Sequence, residues 1–298
     1  ISALKNKTNP DAKPASHGGD VSTPLIAAIL NEKINGPEVI SAFAESGADL
    51  DTHDGSSGFT AMMYATAVNK PEIVRALIQN GADVNARDSD GVSALMYAIT
   101  GNQTAVIAEL IQNGADVNAR DNIGRSAFSL AINPNVDRET VVELIKSGAN
   151  VNEFVSFRDD WRVRDVSILM LAIINRCAPE IVTALMDSGA NVNAETKYGD
   201  TALMFAIAKN SDPETTIALI ERGADVNKKY LVHHGAAFQY TALMWAIIHR
   251  NEIEVIRKMI SSGADVKART EYGPSALDCA IYEGYGEAVA LLKQHGAR

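Results

Sequence analysis

The apolar positions of this chain fall into pairs of short segments. The first segment of each pair reads TPLIAAI (23–29), TAMMYAT (60–66), SALMYAI (93–99), SAFSLAI (126–132), SILMLAI (167–173), TALMFAI (201–207), TALMWAI (241–247) and SALDCAI (275–281). Thr or Ser opens each one at the position a helix N-cap wants. Pro24 takes N1, where its missing N–H costs nothing. The pattern predicts a short helix whose small residues, Ala65, Ala98, Ala206 and Ala246, let neighbouring helices approach closely. A polar turn follows. Pro37, Pro71, Pro179 and Pro213 each precede a Glu, which predicts the first turn of a second helix with the anion on its positive end. That helix carries apolar residues at i, i+1, i+4 and i+5, as in Ile73, Val74, Leu77 and Ile78, which form one face.

The phrase that closes each pair identifies a structural period. NGADVNARD occurs at 80–88 and again, letter for letter, at 113–121. Aligned on its glycine, the phrase recurs at Gly47, Gly81, Gly114, Gly148, Gly189, Gly223, Gly263 and Gly296, with spacings of 34, 33, 34, 41, 34, 40 and 33. A glycine there fits C′, where a left-handed residue ends a helix. The Asp-Val-Asn segment leads on through Asp, Asn and Gly, which is turn chemistry. One such helix pair cannot bury its apolar face alone, so the copies must stack on one another.

A period near 33, Thr-Pro-Leu opening a helix and Gly-Ala-Asp-Val-Asn closing the unit resemble the ankyrin-repeat family over residues 23–298. The resemblance implies an all-α solenoid of eight helix–turn–helix units, each followed by a β-turn finger. It also implies a protein-binding scaffold with no catalysis of its own, using finger tips and the concave face made with the first helices. Matching finger positions are Arg87, Ser89, Asp90 and Val92, then Arg120, Asn122, Ile123 and Arg125. Thr196, Lys197, Tyr198 and Asp200 match in a later finger, and Thr270, Glu271 and Tyr272 in the last. The family usually has His after Thr-Pro-Leu. Here that column reads Ile26, Met63, Met96, Ser129, Met170, Met204, Met244 and Asp278, which points to apolar packing between repeats. The Leu-Met-x-Ala-Ile wording is similar to ankyrin repeats of bacterial proteins. The column Tyr64, Tyr97, Phe205 and Trp245, with Leu130 and Leu171, is expected to pack on the helix pairs.

The array is irregular in places. Residues 1–22 carry Lys, Asn, Pro, Ser and Gly with no aromatic residue and are expected to form a flexible leader to a single repeat domain, 23–298. The first repeat is degraded, as a cap would be, and LLKQHGAR closes the last without a finger, as a complete array would. Two fingers are long. EFVSFRDDWRVRDV (153–166) holds seven extra residues and KKYLVHHGAAFQY (228–240) six. Both are rich in aromatic residues. They read either as neutral insertions whose rings fold onto the neighbouring finger, or as hairpins presenting the residue types found at binding hot spots. On the second reading the candidate partner-binding residues are Phe154, Phe157, Trp161, Arg162, Tyr230, His233 and Phe238. Tyr198, Tyr272, Arg87, Asp90, Arg120 and Arg125 on ordinary fingers join them. Repeats stack roughly 10 Å apart, so the two inserts should stand about 20 Å apart around Tyr198 and form one cleft.

Composition narrows the function classes. The 298 residues are 46% hydrophobic with a net charge of −10 and a pI near 5.1, and they contain no run of clustered Lys and Arg. That argues against nucleic acid as the partner. No apolar stretch reaches the roughly 20 residues of a membrane span. A monomer with a protein partner is expected. Adjacent His233 and His234 would point to opposite faces of a strand, so no metal site is expected. Cofactor and catalytic motifs are missing from the sequence, GxSxG, GxxxxGK[ST], HExxH and GxGxxG among them. Cys279 is expected in the core, and Cys177, in a turn, as a partly exposed thiol, too distant from Cys279 for a disulfide. The chain opens on Ile1, so it reads as a fragment or a processed chain. An upstream enzyme domain stays open as the rival reading, and the compartment, cytoplasmic or exported, stays open too.

Overall fold

The computed structural model describes residues 23–31, 36–158, 163–209, 211–231, 239–270 and 273–298. Two compact units emerge, one ending at Asn150 and the other holding 132–134 and 151–298. In the first unit, helices α1 (Pro24–Leu30), α3 (Ala61–Ala67), α5 (Ala94–Thr100) and α7 (Ala127–Ala131) pack side by side. Their partners α2 (Pro37–Glu45), α4 (Pro71–Gln79), α6 (Thr104–Gln112) and α8 (Arg138–Lys146) make a second row. The second unit repeats the plan. Its first row is α9 (Ile168–Ile174), α11 (Ala202–Ala208), α13 (Ala242–Ile248) and α15 (Ala276–Tyr282). Its second row is α10 (Pro179–Asp187), α12 (Pro213–Glu221), α14 (Ile253–Ser261) and α16 (Gly286–Gln294).

Local chemistry sets the element ends. The Thr or Ser before each first-row helix accepts from the backbone N–H three residues on, as Thr23 does from Ile26 and Ser93 from Met96. Pro37, Pro71, Pro179 and Pro213 are the first residues of their second-row helices. The eight phrase glycines all have φ between 82° and 91°, as a C′ residue requires.

The core is the seam between successive repeats. Met63, Met96, Met170, Met204 and Met244 are all buried, as is Ile26. Each such side chain contributes about 1.5–3 kcal/mol through area removed from water. The two polar members of that column turn back on their own helix. Ser129 Oγ accepts from Ser126 N–H at 2.9 Å, and Asp278 Oδ2 accepts from Ser275 N–H at 2.8 Å. Met204 Sδ takes the same place, 3.0 Å from Thr201 N. The column therefore both packs and caps.

A second seam runs along the phrase itself. Asn85 Oδ1 accepts from Asp116 N–H at 2.7 Å while its Nδ2 donates to the Gly114 carbonyl at 3.0 Å. Asn118 makes the same pair of bonds to Asn150 and Gly148, Asn152 to Asn191 and Gly189, Asn193 to Asp225 and Gly223, and Asn227 to Asp265 and Gly263. The Asn that closes each Asp-Val-Asn or Asn-Val-Asn is thus a bidentate stitch to the next repeat. Asp51, at that place in the first repeat, lacks the amide N–H₂; its bond is the one accepted from Asp83 N–H at 2.9 Å.

Both long fingers are antiparallel hairpins. β1 (Phe154–Arg158) pairs with β2 (Val163–Ser167) with Phe154 opposite Ser167, and β3 (Lys229–Leu231) pairs with β4 (Gln239–Thr241) with Lys229 opposite Thr241. Among the described residues no helix is long and apolar enough to cross a membrane.

Cys177 departs from expectation. It is 7% exposed, because its turn folds back with its N–H bonded to the Ala172 carbonyl at 2.9 Å. It lines a cavity of about 200 Å³ with Ile173, Pro179 and Val182. Burial pushes its thiol up to about 11. Cys279 is buried as expected.

Candidate functional site

The ordinary fingers are turns closed by a side chain. Asp54 Oδ1 accepts from the N–H groups of Ser57 at 2.8 Å and Gly58 at 2.7 Å. Asp88 does the same for Asp90 and Val92, both at 2.9 Å. Asp121 serves Ile123 and Arg125, and Thr196 serves Tyr198 and Asp200. Tyr64 donates from its hydroxyl to Asp54 Oδ2 at 2.7 Å, and Tyr97 to Asp88 Oδ2. The tyrosines of the aromatic column therefore tie each finger to its own helix as well as packing on it. Where Leu130 replaces Tyr, Arg125 Nε takes over and pairs with Asp121 at 2.7 Å.

These contacts set the electrostatics. Burial pushes the Asp54 carboxyl up, but the bonds from Tyr64, Ser57 and Gly58 together outweigh it and hold the group well below the usual carboxylate range. Burial and then the Asp88 carboxylate push the Tyr97 phenol up.

The expected partner-binding residues fare differently. Arg87 Nη1 donates to the Arg120 carbonyl at 2.8 Å and so joins its finger to the next, while Arg120 Nη1 donates to the Gly124 carbonyl at 2.6 Å within its own finger; both side chains stay exposed. Asp90 is exposed, and its carbonyl accepts from Asn122 N–H at 2.9 Å. Tyr198 is half-buried with the Lys197 ammonium 5.1 Å from its ring centroid. In the first hairpin, alternation turns Val155 and Val166 inward and leaves Phe154 42% exposed, with Phe157 half-buried. Trp161, Arg162, His233, Phe238 and Tyr272 lie outside the described residues, and of Tyr230 the strand pairing with Tyr240 is described.

Two residues that sequence reading did not single out hold the long fingers against the ordinary one between them. Arg164, opposite Phe157 in the hairpin, pairs with Asp200 at 2.8 Å and lies 5.6 Å from the Phe205 ring centroid. Lys228, just before β3, pairs with Glu195 at 2.7 Å. Finger 195–200 is thus held from both sides. The one available signal was an Arg within the insert, and choosing Arg164 over Arg162 needed the strand register. Among the described residues no group of His, Cys, Asp and Glu could hold a metal ion.

Within each unit, stacked helix pairs followed by fingers define a repeat-array scaffold. The chain belongs to the ankyrin-repeat family: family models described as ankyrin repeats match residues 2–88, 77–131, 130–230 and 228–298. Its fold is similar to the crystal structure of the human ASB11 ankyrin repeat domain, with a TM-score of 0.57 and 24% identity over 78% of this chain and 98% of that one. No curated protein matches the sequence. Ankyrin repeats are in general protein–protein interaction modules and typically non-catalytic.

Proposed function

We propose that this protein is a binding scaffold for another protein, without catalysis of its own, and that its main contact surface is the finger edge of the second unit. The observation that carries this reading is the three-finger set. Hairpin β1–β2, finger 195–200 and the base of hairpin β3–β4 are joined by Arg164–Asp200 and Lys228–Glu195, while Phe154 faces solvent. The Lys228–Glu195 pair is half exposed and contributes little to stability, and the Arg164–Asp200 pair is partly buried. They do fix orientation, and a pre-organised edge loses less entropy on binding. Trp161, Arg162, Tyr230, His233 and Phe238 belong to these same two inserts and are assigned to the surface with Tyr198. Tyr272, on the last finger, is assigned to its periphery, while Arg87, Asp90, Arg120 and Arg125 are assigned to partner contacts on the fingers of the first unit. The net charge of −10 favours a protein over a nucleic acid as partner.

Affinity capture followed by mass spectrometry supplies the partner. Trimming both inserts to the ordinary finger length should then leave the melting curve nearly unchanged and weaken binding at least tenfold, about 1.4 kcal/mol. A trimmed protein that binds as well as the parent removes the inserts from the contact surface.

A further inference from the structure

The last two first-row helices, α13 and α15, end at a cavity of about 470 Å³ beside the second hairpin. Its walls are Tyr240 from β4, Ile248 from the end of α13, Pro274 from the last finger and Tyr282 from the end of α15. Asp278 and Glu283 also line it. The volume falls within the range of ligand pockets and holds one long side chain with its flanking backbone.

Tyr282 stands where other repeats place Ala67, Thr100, Ala208 or Ile248, and it is 89% exposed. The fold itself gives so large an exposed ring no packing role. The opposite wall is fixed, since Tyr240 packs on Trp245 at 6.0 Å between centroids and Trp245 on His249 at 4.3 Å. Asp278 Oδ2 is locked by Ser275, which donates from N at 2.8 Å and from Oγ at 2.7 Å. Arg269 approaches that carboxylate at 3.4 Å, but both side chains are about half exposed, a geometry that solvent screens and a partner can displace. Glu283 is half-buried and in no ion pair among the described residues. The nearby Arg250 guanidinium goes instead to the Glu283 main-chain carbonyl at 3.0 Å and the Tyr285 ring at 5.8 Å.

Aromatic and aliphatic walls that share their lining with two carboxylates match one kind of group: an alkyl stem ending in a cation. The stem lies along apolar surface, the cation meets the tyrosine faces, and the carboxylates accept its hydrogen bonds. We propose that this cavity takes a lysine or arginine side chain of the protein partner, with the stem between Tyr240, Pro274 and Tyr282 and the charged head at Asp278 and Glu283. This rests on the reading that the chain binds a protein, and it names a chemical feature of that partner.

The test uses the full chain, labelled with ¹⁵N, and titrates it with acetyl-arginine methylamide, acetyl-lysine methylamide and the uncharged acetyl-norleucine methylamide up to roughly 50 mM, a range suited to millimolar affinity. Saturable shifts of the 278–283 amides with the two cationic amides are expected, with norleucine at least about fivefold weaker. The double variant Asp278→Asn, Glu283→Gln should lose that preference. Glu283→Gln alone, which leaves the Ser275 cap intact, should weaken it and serves if the double variant melts early. Norleucine binding as well as arginine, a preference unchanged in the variants, or no saturable shift in the wild type would each overturn the proposal. None of these touches the insert-trimming result, which is read with the native partner.

Discussion

Single side chains in this protein do two jobs, and that makes their substitutions informative. Met96 is fully buried between repeats. Met96→Leu conserves volume and should cost under about 1.5 kcal/mol. Met96→Asp buries an unpaired charge and should cost several times more, about 3–5 kcal/mol. Chemical denaturation measures both, and an Asp variant that unfolds like wild type would mean the column is not core. Asp54 tests the finger chemistry. Its carboxyl lies below the usual range in the folded state, so the stability it contributes is present above its unfolded value of about 3.9 and is lost as pH falls through the folded value. Asp54→Asn should lower stability at pH 7 by about 2 kcal/mol, the worth of hydrogen bonds to a charged group. It should also flatten the fall in melting temperature below about pH 4. Parallel pH profiles for variant and wild type would contradict the assignment.

At the scale of elements, the described parts of the inserts pair as antiparallel strands where the ordinary fingers are turns. The first one rests on two inward valines and on Arg164. Replacing Arg164 with Ala should loosen the hairpin without disturbing the helices, because the ion pair joins hairpin to finger and the helix seams lie elsewhere. Hydrogen exchange at 154–158 should rise about tenfold, near 1.4 kcal/mol of local stability, while α9 and α11 keep their protection. Unchanged exchange in the strand would show that Val155 and Val166 hold it alone. The hairpin form was legible in part. Seven extra residues with alternating Phe154, Val155, Ser156 and Phe157 allow strands, but the sequence left a neutral, folded-back loop equally open. The structure adds the strand register, which sets Arg164 opposite Phe157 and within reach of Asp200.

For the whole molecule, stability in a repeat array is distributed, since each repeat contacts its neighbours. Helix α7 spans five residues where the other first-row helices span seven, and Asn133-Pro134 follows closely on it. Native-state hydrogen exchange should therefore show α1–α2 and α7–α8 opening before α3–α6. Uniform protection from residue 23 onward would contradict this.

The elements themselves, their caps, their terminating glycines and their eightfold repetition were determined by the sequence. Each rests on residues within one or two helical turns of one another, and such information is local: a Ser and the N–H three residues on, a Gly at positive φ, an apolar face at helical spacing. The tertiary structure decided what joins one repeat to the next. Asn193 reads as a turn residue until stacking brings the Gly223 carbonyl to 2.9 Å of it. Tyr97 reads as packing until the finger places Asp88 at its hydroxyl, and Cys177 reads as a partly exposed thiol until its turn folds back onto the Ala172 carbonyl. The same holds for the candidate surface. The aromatic wealth of the inserts is visible in the letters, but the pairing of Arg164 with Asp200 and of Lys228 with Glu195 joins residues 36 and 33 positions apart. A chain brings such residues together only after its helices have packed, so no local pattern can announce them.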